Sequence, residues 1–147
     1  MSVVASNIIT DIGWDVAGTA GSACPTKIYL ATGVASPLVS TTWATMISGA
    51  TLVYDGSTTP APTNGWYNVP INPYLYSGGN LVVLVETNLG GSGGGTNPLL
   101  RYSSSTGNNL TWTADNNPPT GNGVTSSSRP NVRITYTAGP PCSGTPT

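Results

Sequence analysis

The chain has 147 residues and a formal net charge of −1, with four Lys or Arg, five Asp or Glu and no His. That is one domain by length, with enough chain to bury a single core. Four cations cannot make a nucleic-acid-binding face, and without His there is no His-based triad, no His general base and no His-ligated metal.

Small residues take the place of charge: 19 Gly, 13 Pro, 22 Thr, 16 Ser and 13 Asn. Thr, Val, Tyr and Trp favour strands, while Ser, Asn, Gly and Pro favour turns. Helix formers such as Glu, Lys, Arg and Met are nearly absent. The expectation is an all-β chain, secreted, with a surface solubilised by Thr, Ser and Asn.

Alternation and turn signals predict the elements in order. Asn7 to Val16 is a strand, with period two from Ile12 to Val16. Thr26 to Ala31 is a second. Ser40 to Ile47 carries Trp43, Met46 and Ile47 at a spacing that suits one helical turn or an irregular crossover. Ala50 to Tyr54 is a strand stopped by Asp55-Gly56, and Gly65 to Ile71 alternates again. Leu81 to Thr87 is the strongest strand; apolar at successive positions, it is expected at the centre of a sheet, covered on both sides. Gly90 to Gly95 reads as a flexible loop. Leu99 to Tyr102 and Leu110 to Ala114 are two further strands, Asn116 to Ser128 is a long polar loop, and Asn131 to Tyr136 closes the domain. The sum is about eight strands in a two-sheet antiparallel β-sandwich of jelly-roll or Ig-like type over residues 1–137, with a Pro-rich tail over 138–147.

The two Cys, Cys24 and Cys142, permit one disulfide. Cys142 sits in the Pro-rich tail and could equally belong to a following domain, so the pairing stays open. No apolar run approaches the roughly 18 residues of a membrane span. Met1-Ser2-Val3-Val4 has neither a basic segment nor an apolar one of signal-peptide type, so a secreted chain would be mature or excised here.

Several segments together carry a resemblance: Lys27-Ile28-Tyr29-Leu30, Trp43, Thr51 to Gly56, Gly65-Trp66-Tyr67, Pro73 to Val83, and Arg129 to Arg133. In this order they resemble a β-sandwich module recurrent in large secreted and cell-surface proteins of Bacteroidetes, many exported by the type IX route. The resemblance covers residues 5–137. It implies a structural or adhesive role, no catalytic residues, and a strand missing before Ile9.

The carboxylates are Asp11, Asp15, Asp55, Glu86 and Asp115. A glycosidase needs two of them flanking a bond; turn capping and solvation account for them better, and Glu86 suits an ion pair with Arg101 or Arg133. No enzyme activity is expected. Asp115, Asn116 and Asn117 are the densest oxygen-ligand set and the candidate site for a structural calcium, with an Asx-rich turn as the plainer account. No other cofactor is implied.

Trp66, Tyr67, Tyr74 and Tyr76 are the candidate glycan-binding rings. With no Phe in the chain, Trp and Tyr must also fill the core. Trp66 and Tyr67 are neighbours on a strand, so one points in and the other out. The expected function is a non-catalytic extracellular module, joined to neighbouring domains or identical subunits by strand addition at a sheet edge. Ser2 to Ile9 is the candidate donor, because so few charges cannot guard the edges. The alternative is a carbohydrate-binding module.

Overall fold

The structure is a computed structural model and describes residues 6–18, 21–60, 64–88, 96–115 and 117–139. The strands are β1 (Asn7–Val16), β2 (Cys24–Thr32), β3 (Thr51–Thr58), β4 (Gly65–Tyr76), β5 (Leu81–Thr87), β6 (Tyr102–Thr111), β7 (Val124–Pro130) and β8 (Val132–Ala138). The one helix among the described residues is α1 (Trp43–Ile47), a single turn capped by the Thr42 hydroxyl.

Two antiparallel three-stranded sheets form a β-sandwich, one in the order β4-β1-β8 and the other β3-β2-β5. Neither sheet closes into a barrel. The remaining strands, β6 and β7, pair only with each other as a two-stranded ribbon.

The core follows from strand parity, interrupted once on β1, where a register shift between Ile9 and Asp11 lets Ile9 and Ile12, three residues apart, face the same side. On β1, Ile9, Ile12 and Val16 are buried, as are Ile28 and Leu30 on β2 and Val69 and Ile71 on β4. The two central strands therefore put β-branched and Leu side chains face to face, with Val53 from β3 completing the layer. At the other end of β2, the Thr26 and Thr58 hydroxyls share a buried hydrogen bond of 2.7 Å.

Several boundaries differ from the sequence reading. β3 runs through Asp55-Gly56 to Thr58, because pairing with Cys24 to Lys27 outweighs the local turn signal. β4 continues past Ile71 to Tyr76; its two prolines, Pro70 and Pro73, are tolerable because β4 is an edge strand. The two expected strands at Leu99 to Tyr102 and Leu110 to Ala114 are replaced by one, β6, whose register shifts between Ser104 and Asn109. The end of the expected loop Asn116 to Ser128 is strand β7, too polar to show alternation. The glycine run Gly90 to Gly95 and the tail from Pro140 onward lie outside the described residues.

The largest correction concerns β5. It is an edge strand, paired only with β2 among the described residues. The expected cover on both faces holds only in part, since Leu84 alone is fully buried and Val85 is exposed. Leu81 and Val83 pack on the core, while Leu84, on the opposite face beside Tyr29, is only 5% exposed. That outer face is roofed by α1, which sets Trp43 edge-on against Tyr29 at 6.1 Å, and Trp112 against Trp43 at 5.4 Å.

Candidate functional site

The free edge of β5 opens into a cleft of about 1020 Å³. Leu81, Val82, Val83, Leu84 and Val85 all line it. Successive residues of a strand point to opposite faces, so a cleft touching five in a row follows the strand's edge and not one of its faces.

The exposure of inward-pointing side chains marks the same gap. Val85 stands opposite Ile28, and residues paired across a ladder share a face. Val85 therefore points toward the core, yet it is 39% exposed. On β8, Val132 and Tyr136 stand opposite Trp14 and Ile9. They also face inward, and they are 38% and 60% exposed. The sandwich is open between its β5 and β8 edges.

The ribbon forms the far wall and is anchored at both ends. At one end the Arg101 N–H donates to the Asp15 carbonyl at 2.8 Å, and the Arg101 guanidinium meets the Asp15 carboxylate at 2.8 Å. The same guanidinium donates to the Val16 carbonyl and to Asn64 Oδ1, each at 3.0 Å. At the other end the Thr41 carbonyl accepts from Trp112 Nε1 at 2.9 Å and from the Gly123 N–H at 2.8 Å. Gly123 is needed there, since a Cβ would collide with the Trp112 indole. Between these anchors the ribbon makes no ladder with β5.

A second surface lies on the outer face of the β4-β1-β8 sheet. Trp66 is 43% exposed, and Arg133 lies over its ring at 4.9 Å. Arg133 also donates to Asn68 Oδ1 at 2.7 Å. Of the adjacent pair, Trp66 points out and Tyr67 packs on the core, as parity requires. Tyr74 and Tyr76 also pack against the core, so the expected four-ring platform reduces to Trp66 alone. The Tyr76 hydroxyl is spent locally, donating to the Gly79 carbonyl at 2.6 Å.

The carboxylates do not converge. Asp15 is held by Arg101, and Asp11 accepts from the Thr10 hydroxyl at 2.8 Å. Asp55 and Glu86 stand in register on either side of Lys27, on the outer face of the β3-β2-β5 sheet. Glu86 is thus not the partner of Arg101 or Arg133. Its carboxylate instead acts on Tyr29, whose hydroxyl pKa is raised first by burial and then by Glu86. Asp115 and Asn117 are exposed in the loop between β6 and β7, and Asn116 lies outside the described residues. Among the described residues no three His, Cys, Asp or Glu side chains gather to hold a metal. Cys24 is buried, with its thiol donating to the Pro25 carbonyl at 3.3 Å; Cys142 is not among the described residues.

The expected donor segment Ser2 to Ile9 needs correction. Asn7, Ile8 and Ile9 are paired on both sides, to β4 and to β8, and cannot be given away without dismantling the central strand. Sequence reasoning missed Val132 and Arg129 as parts of the opening. Val132 lies on a strand whose alternation is ordinary, and Arg129 on one that shows none, so only the absence of a neighbour makes them distinctive. No helix among the described residues is long and apolar enough to cross a membrane. Compared with known proteins, the chain matches no family model, no curated protein and no solved structure.

Proposed function

We propose that this chain is a non-catalytic structural or adhesive β-sandwich module, secreted or displayed at a cell surface. In this reading it joins neighbouring domains or identical subunits through the edge of β5. The observation that carries it is the placement of the most apolar strand at a sheet edge, beside an open cleft. Exposed edges are normally blunted with Pro, Lys or bulges. β4 carries Pro70 and Pro73, whereas β5 has no Pro, no Lys and one charge, Glu86. Unpaired N–H and C=O groups on such an edge gain hydrogen bonds when another strand is added.

Amide hydrogen exchange on the isolated chain tests this. Amides of Leu81–Thr87 that point toward the cleft should exchange fast, alternating with slow ones that pair with β2. Uniform protection along the strand would overturn the reading, because the edge would already be satisfied.

A carbohydrate-binding role is the second reading, favoured by the half-exposed Trp66 with Asn68, Asn64 and two Arg around it. A sugar ring stacked there would find polar groups at the rim of the indole. Loss of glycan-array retention in Trp66→Ala, with the fold intact, would support it.

A further inference from the structure

The free edge sets the size of its occupant. β5 has seven residues, so a strand pairing along its whole open edge is itself about six to seven residues long. The ribbon, fixed at Arg101 and Trp112, forms the far wall of the cleft, so an added strand enters between β5 and that wall. The shape admits a lone extended segment.

The lining also selects by charge. Arg129 is the one charged side chain that lines the cleft, and no carboxylate lies within ion-pair distance of it among the described residues. The inward-pointing Val85 and Val132 leave apolar surface uncovered on the core side of the cleft. Asn108, Asn109 and Ser103 line the ribbon side.

Resting on the reading of β5 as an assembly edge, we infer the occupant. It is a single extended segment of another polypeptide, about six to seven residues long. Its alternate side chains are apolar and face the Val85–Val132 gap. It carries no cation, and a single carboxylate is placed to meet Arg129. Addition of this strand satisfies the β5 edge and closes the core between β5 and β8.

The test uses three peptides with the full chain. The neutral probe is acetyl-Thr-Val-Thr-Val-Thr-Val-Thr-amide; the others replace one Thr by Glu or by Lys. Binding is read by fluorescence anisotropy and by slowing of β5 amide exchange. The neutral peptide should bind with a Kd below about 1 mM. The acidic one should bind about threefold tighter and the basic one about threefold weaker. Arg129→Gln should erase that spread. Val85→Lys and Val132→Lys, on opposite walls and each at a half-exposed site, should both abolish binding with the melting temperature little changed. Equal affinity for the acidic and basic peptides would overturn the Arg129 assignment. If no peptide binds while the β5 amides remain unprotected, the occupant is wrong and the open edge stands. If those amides are protected from the start, the edge reading itself fails.

Discussion

Arg101 and Asp15 are joined twice, by side chains at 2.8 Å and by backbone N–H to carbonyl at 2.8 Å. The two residues belong to different parts of the fold: Asp15 is the penultimate residue of β1, and Arg101 leads into the ribbon. Their link is what holds one end of the ribbon to the sandwich. An ion pair at a half-exposed site contributes up to about 1 kcal/mol, and the added bonds to Val16 and Asn64 raise the total to about 2 kcal/mol. Arg101→Ala should lower stability by about that amount in urea melts. It should also speed amide exchange in β6 more than in β1. A uniform change across both would mean that the link is not specific to the ribbon.

The Thr26–Thr58 pair predicts a thermodynamic cycle. Both hydroxyls are buried, and Thr26 Oγ1 also lies 2.9 Å from the Cys24 carbonyl. Thr26→Val removes both bonds and leaves the Thr58 hydroxyl stranded, at a cost of about 1–3 kcal/mol. Thr26→Val with Thr58→Val should recover part of the loss, since two apolar groups then replace two hydroxyls of similar shape. Urea denaturation of the four proteins measures it; strictly additive losses would show that the hydroxyls are not coupled.

Trp66 and Tyr74 should respond in opposite ways. Trp66 lies outside the core, and Trp66→Ala should cost about 1 kcal/mol, mostly the Arg133 stacking. Tyr74 packs on the core, and Tyr74→Ala should cost about 3 kcal/mol. Melting temperatures and urea midpoints of the two variants check the order.

Alkaline stability should carry the mark of Tyr29. Burial, and behind it the Glu86 carboxylate, hold its hydroxyl above tyrosine's ordinary pKa near 10. The folded chain then keeps this proton at pH values where the unfolded chain has lost it. The resulting stability is present in full below about pH 10 and is lost as pH rises through the folded-state value. Tyr29→Phe should therefore flatten the alkaline arm of the melting-temperature curve. Absorbance at about 295 nm should show one late-titrating tyrosine in the parent protein that is missing from the variant.

Much of the fold was legible because it depends on local alternation. Ile12 to Val16 and Val69 to Ile71 state their inward faces directly. Trp66 and Tyr67 split as neighbours must. What local pattern cannot encode is the identity of the neighbours. Leu81 to Val85 suggest a central strand because both faces are apolar; Leu84 is indeed buried on one face, while Val85 on the other is left partly open. Coverage of a strand's faces and pairing of its edges are independent, and side-chain pattern reports only the first. Tyr74 and Tyr76 resembled a surface platform because Pro73 hid the continuation of β4. β7 was missed for the converse reason: a ribbon outside the core has no apolar face to display.

The unguarded β5 edge also bears on how this protein behaves in a tube. A run of Leu-Val-Val-Leu-Val, with β-propensity and no charge, has the composition that seeds fibrillar stacking when left exposed. A net charge of −1 offers almost no colloidal repulsion to slow it. Whatever fills the slot thus acts as a solubility tag as well as a partner. Concentrated stocks should turn turbid with time and clear with a bound strand, and Val85→Lys, which puts a charge on the same edge, should keep them clear without any partner.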